Sequence, residues 1–74
     1  MTLDKLKLAQ LARIYALPNN LALSTLLLEQ GFIPNTLVQL VHKAPLGGPL
    51  AFKLHGAKVS VDKQTAAHIQ IEVI

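Results

Sequence analysis

Between Leu50 and His55 apolar and polar positions alternate, with Leu50, Phe52 and Leu54 set against Ala51, Lys53 and His55. A period of two predicts a strand with its first set turned inward. Weaker alternation predicts further strands over Gln10–Leu17 (Ile14 inward), Thr36–Lys43 (Val38 and Leu40 inward), Ala57–Val61 (Val59 and Val61 inward) and His68–Ile74 (Ile69, Ile71 and Val73 inward). One stretch, Leu21–Gln30, has helical spacing, with Leu23, Leu27 and Gln30 on one stripe and Leu28 beside it. Asn20 is placed to cap its first turn, and Gly31 to end it in a left-handed conformation with Phe32 folding back. Pro34-Asn35 suits a type II turn, because proline presets the first central position and asparagine tolerates positive φ at the second. Asp62 can cap a short helical turn through Lys63–Ala67. Before all this, Met1–Leu8 is a loose opening segment that Leu3 and Leu6 can pin down.

The segment Val41-His-Lys-Ala-Pro-Leu-Gly-Gly-Pro-Leu50 joins two of these strands. Pro45 and Pro49 cannot donate a ladder hydrogen bond, and Gly47-Gly48 can adopt angles that side chains forbid. The segment therefore predicts a hairpin with a rigid, unusual loop. Gly56 allows a second sharp reversal with positive φ. The order becomes strand, helix, three strands, helical turn, strand. Five short strands hide their edges most easily by curling into a small barrel. The fold class is mainly β with one α-helix, in a single domain over residues 1–74.

Composition sharpens the picture in one respect. The chain is 51% apolar and only 15% charged. A domain of 74 residues buries only about 60–65% of its unfolded surface. Some apolar side chains must therefore face solvent or a partner.

The chemistry-bearing residues mostly exclude functions. There are no cysteines, hence neither a disulfide framework nor a thiolate metal site. Ser24 and Ser60 lie in no nucleophile elbow, and Gly47-Gly48 leads into Pro49 and a strand rather than a phosphate-binding helix. An enzyme is not expected. His42, His55 and His68, with Asp4, Glu29, Asp62 and Glu72, are the available metal ligands, but no two histidines have a ligand spacing. No metal site and no cofactor are expected. The net charge is +3, yet Lys5, Lys7, Arg13, Lys43, Lys53, Lys58 and Lys63 are scattered along the chain. Nucleic-acid surfaces pair a basic cluster with stacking aromatics, and the only aromatics are Tyr15, Phe32 and Phe52. Nucleic acid is not the expected partner, although a small basic barrel that binds RNA is the alternative reading. Lys5, Lys7 and Arg13 interrupt any secretory leader, and Pro18-Asn19-Asn20 splits the uncharged Ile14–Leu28 stretch, which is too short for a bilayer.

Two motifs at matching spacing carry a family resemblance. Leu27-Leu-Glu-Gln-Gly-Phe-Ile-Pro-Asn-Thr36 resembles the FeoA pattern Leu-Leu-Glu-x-Gly-x-x-Pro-Gly-Thr, and Ala44-Pro-Leu-Gly-Gly-Pro49 resembles its Ala-Pro-Leu-Gly-Asp-Pro loop. Gly56 matches a glycine between the next two strands. The resemblance spans nearly the whole chain. It implies an SH3-like five-stranded barrel, shared with C-terminal domains of metal-dependent repressors. It also implies a cytoplasmic accessory role in ferrous-iron uptake, bound to the FeoB membrane GTPase and permease. The chain departs from the family pattern at Leu8-Ala9, where an early Pro-Gly turn is usual, and at Ser24-Thr25-Leu26, where the helix is usually basic. It departs again at Leu37, Gly48 and Ala57, usually polar, aspartate and aromatic. These changes remove charge and add apolar surface. The expected partner-binding residues are Leu26 on the outer helix face, Leu37 at its usually polar strand position, and Leu46 at the tip of the hairpin loop.

Overall fold

Turn-forming residues punctuate this chain at short intervals, so its strands are short and each reverses on its neighbour. In the computed structural model, which describes all 74 residues, the strands are β1 (Leu11–Ala16), β2 (Leu37–Lys43), β3 (Leu50–Leu54), β4 (Ala57–Val61) and β5 (Gln70–Val73). Helix α1 (Leu21–Gln30) connects β1 to β2, and the short α2 (Lys63–Ala66) connects β4 to β5. All pairings are antiparallel, in the order β4-β3-β2-β1-β5. The two outer strands do not pair with each other, so hydrogen bonding does not close the barrel. The β5 edge is instead covered by the N-terminus: Leu3 donates to Ile69 O at 2.9 Å and Ile71 donates to Met1 O at 2.8 Å.

The inner face of the sheet and both helices enclose a core of 15 residues. Ile14, Leu40, Phe52 and Ile69 lie in it with no exposed surface, as do Leu3 and Leu6 from the opening segment. Phe32, just past α1, meets Phe52 edge-to-face at 6.3 Å between ring centres. Two bulges bend the sheet around this core. The register shifts between Ile14 and Ala16 and again between Leu40 and His42, leaving Tyr15 and Val41 unpaired and exposed. The molecule measures 29 × 25 × 23 Å, nearly isotropic for a single sheet.

Four residues other than glycine take left-handed backbone angles: Ala9, Asn35, Leu46 and His55. Asn35, with φ 74°, occupies the expected turn, where Thr36 donates to Ile33 O at 3.0 Å. Ala9, with φ 67°, sits where the family pattern has glycine. Its turn is closed by Gln10 donating to Lys7 O at 2.9 Å, and Gln39 Nε2 donates to its carbonyl at 2.9 Å. His55 and Gly56, at 50° and 79°, form a two-residue hairpin turn with positive φ at both positions, closed by the Leu54–Ala57 pair. The expected reversal at Gly56 is present, but His55 belongs to the turn and not to β3.

Other expectations need correction. Ala51 was expected to face solvent and is buried, because His42 and Ser60 flank it in the register and it is too small to reach past them. Val73 was expected inward but is exposed; it shares a side with Ala12 at the end of an edge strand, where no further strand covers it. The last strand starts at Gln70 rather than His68, because His68 and Ile69 donate back to Thr65 and Ala66 at the end of α2. Only Leu27 of the expected α1 stripe is fully buried; Leu23 is half-buried, and Leu28 and Gln30 are exposed.

Candidate partner-binding surface

Helix α1 is held at both ends by local chemistry. Asn20 Oδ1 accepts from the Leu23 amide at 3.0 Å. Gly31, at φ 108°, ends the helix, and Phe32 donates to Leu27 O at 3.0 Å. These caps satisfy backbone groups that would otherwise need other partners. Packing on the core rests on Leu27 and the half-buried Leu23. The helix carries five leucines, of which one is fully buried. Leu26 is 51% exposed, and Leu21 and Leu28 are exposed too. Glu29 is the only charged residue in the helix.

The hairpin loop is shaped by Pro45-Leu46-Gly47-Gly48. Gly48 donates to Pro45 O at 3.2 Å, and the two central residues have φ of 60° and 73°. That is the pattern of a type I′ turn. Ala44 donates to Pro49 O at 3.0 Å, and Pro49 has no N–H to return the bond. A Cβ at Gly48 would stand 2.8 Å from Ala44 Cβ, so this tight loop accommodates glycine where the family pattern has aspartate. The turn pushes Leu46 wholly into solvent, at 103% exposure.

Leu37 begins β2 on the outer face of the sheet, opposite Arg13, and is 48% exposed. The structure does not gather the three leucines at one point. Leu37 and the C-terminal end of α1 lie at the end of the sheet that carries the β3–β4 turn, since a Cβ on Gly31 would stand 3.7 Å from the His55 ring. Leu46 lies at the other end of β2. A strand of seven residues, with a rise of about 3.3 Å from each to the next, separates its two ends by roughly 20 Å.

The remaining chemistry stays dispersed. His42, His55 and His68 are exposed and lie on β2, in the β3–β4 turn and after α2. No three histidine, aspartate or glutamate side chains come close enough to hold a metal ion. A surface depression of about 430 Å³ is lined by Asp62, Gln64, Thr65, Ala67 and His68. The Thr65 hydroxyl donates to Asp62 Oδ1 at 2.6 Å, and the Thr65 amide to Oδ2 at 3.3 Å, which caps α2. These bonds, the hydroxyl's first, hold the Asp62 carboxyl below its ordinary pKa. Phe32 and Phe52 are in the core, which leaves Tyr15 as the one exposed aromatic. No helix is long and apolar enough to cross a membrane.

The model of the FeoA domain family matches residues 1–73. The chain belongs to the FeoA domain family. Iron(II) transport protein A of Clostridium thermocellum shares 32% identity with it and superposes with a TM-score of 0.95; all of this chain and 46% of the clostridial chain are covered. The chain thus spans less than half of that protein. FeoA of Stenotrophomonas maltophilia, an SH3 domain protein solved with zinc, shares 26% identity over 97% of this chain and 89% of its own, with a TM-score of 0.83. A repressor structure, ScaR with bound zinc, has 18% identity and a TM-score of 0.88 over all of this chain and 37% of its own, a likeness of fold alone. No curated protein matches the chain in sequence. This FeoA domain has the SH3-like fold of its relatives, in a family tied to ferrous-iron transport. The sequence pattern leaves open whether Leu46 lies near α1, because neighbourhood across a curled sheet depends on register, which no local pattern encodes.

Proposed function

We propose that this FeoA domain is a non-enzymatic accessory protein that binds the cytosolic part of a FeoB-type membrane GTPase and permease and supports ferrous-iron uptake. The observation that carries the reading is the exposed leucine surface of a capped, almost uncharged helix. A helix whose stability depended on the domain alone would turn polar residues outward. The Stenotrophomonas relative is described as a candidate ferrous-iron transport activating factor, which supports the same direction.

In this reading Leu26 contributes from the outer face of α1, and Leu37 and Leu46 from opposite ends of β2. A basic barrel that binds RNA is less well supported, since one exposed aromatic offers no stacking platform beside the scattered lysines. The test is binding of the purified chain to the FeoB cytosolic domain by titration calorimetry. Leu26→Ala, Leu37→Ala and Leu46→Ala are compared with wild type. Truncation at the centre of the contact should weaken binding by about 1–3 kcal/mol and peripheral truncations by less. Unchanged affinity in all three variants contradicts the assignment of this surface.

A further inference from the structure

The two edges of the sheet are treated differently. Residues Met1–Leu3 cover β5, whereas nothing in the chain pairs with the outer side of β4. The Leu54–Ala57 pair closes a two-residue turn, so the alternation of an antiparallel ladder directs the peptide groups of Ala57, Val59 and Val61 toward β3. Those of Lys58 and Ser60 point away from the sheet, as free donors and acceptors.

The side chains along this edge are also unbalanced. Lys58 stands directly opposite Lys53, both are exposed, and Gln39 follows on β2. Like charges in facing positions of a ladder repel. Strands β2, β3 and β4 contain no acidic residue. Asp62, just after β4, is engaged with Thr65, and the sole ion pair of the molecule joins Lys5 to Asp4 at 4.0 Å, elsewhere. On the inner side, Val59 packs on the core but is only half-buried.

We propose that the open edge of β4 takes an extended acidic segment of a partner protein as an additional strand. Its backbone pairs with Lys58 and Ser60. An acidic side chain on its outer face lies beside Lys58 and relieves the Lys53–Lys58 repulsion. An apolar side chain next along the segment turns inward and completes the cover of Val59. Main-chain bonds supply affinity and the alternating side chains supply selection.

The probe is a short synthetic peptide that alternates glutamate and valine, with a lysine–valine peptide as its control. Nuclear magnetic resonance of the full chain follows amide exchange and chemical shifts. The glutamate peptide should slow exchange of the Lys58 and Ser60 amides by about tenfold or more. The lysine peptide should not. Lys58→Glu should reverse the preference, by about fivefold. Ser60→Pro removes an outward N–H at an edge position that tolerates proline, and should abolish binding while the fold is kept. If that variant does not fold, the Lys58→Glu reversal decides. The proposal is overturned by equal binding of both peptides, by no binding of either, by shifts centred away from β4, or by protection of β4 through self-association without peptide.

Discussion

Leu46 is a side chain held out at a cost, and replacing it separates stability from binding. It is wholly exposed, so no burial is lost when it is removed. Its φ of 60° puts a bulky residue in the left-handed region, which costs roughly 1–2 kcal/mol for most L-residues. Asparagine tolerates that region, and asparagine followed by glycine is the favoured pair for the turn that Leu46 and Gly47 form. Leu46→Asn should therefore stabilise the domain by about 1 kcal/mol, which for a domain of this size raises the melting temperature by roughly 4–8 °C. Leu46→Ala keeps the unfavourable backbone and should melt within about 0.5 kcal/mol of wild type. Both variants should bind the FeoB cytosolic domain more weakly. Urea and thermal unfolding give the first result, and calorimetric titration the second. A less stable Leu46→Asn would refute the reasoning, because Leu46 would then be making contacts that its exposure denies.

Ala9→Gly should also stabilise, by about 0.5–1 kcal/mol, since it restores glycine at a φ of 67° and the left-handed penalty slightly exceeds glycine's entropic cost; an unchanged urea midpoint argues against it. Gly56→Val places a β-branched residue at φ 79° and should cost about 1–3 kcal/mol, visible as a clear fall in melting temperature. The Asp62 carboxyl is lowered by the Thr65 hydroxyl and amide, so the charged cap stabilises the fold above its unfolded pKa of about 4 and that stability is lost as pH falls through the lower folded value. Thr65→Val should accordingly be less stable than wild type at neutral pH, with the difference shrinking below about pH 4; a difference that stays constant into strong acid contradicts this account.

What the sequence made legible was its punctuation. Asn20, Gly31, Asn35, Gly56 and Asp62 each have a side chain, or lack one, for a local reason, and each stands where that reason predicts. The clean alternation of Leu50, Phe52 and Leu54 likewise placed β3 correctly. The misses come from effects that are not local. Ala9 and Leu46 adopt left-handed angles that their residue types do not signal, since the fold imposes them. The bulges at Tyr15 and Val41 arise from pairing with a second strand. Ala51 is buried by its cross-strand neighbours, and Val73 is exposed by its place on an edge. For the site, exposure of Leu26 and Leu37 followed from apolar residues at usually basic or polar positions, and that of Leu46 from its place at a loop tip. Their placement at two ends of β2 followed only from the register.

Apolar docking and docking by scattered charges respond to salt in opposite ways. Affinity of the chain for the FeoB cytosolic domain should be measured at about 0.1 M and about 1 M salt, where the Debye length shrinks from about 10 Å to about 3 Å. Contacts through Leu26, Leu37 and Leu46 predict affinity that is retained or increased at high salt. A fall of about a hundredfold, nearly 3 kcal/mol, would show that scattered charges hold the complex and would contradict the account.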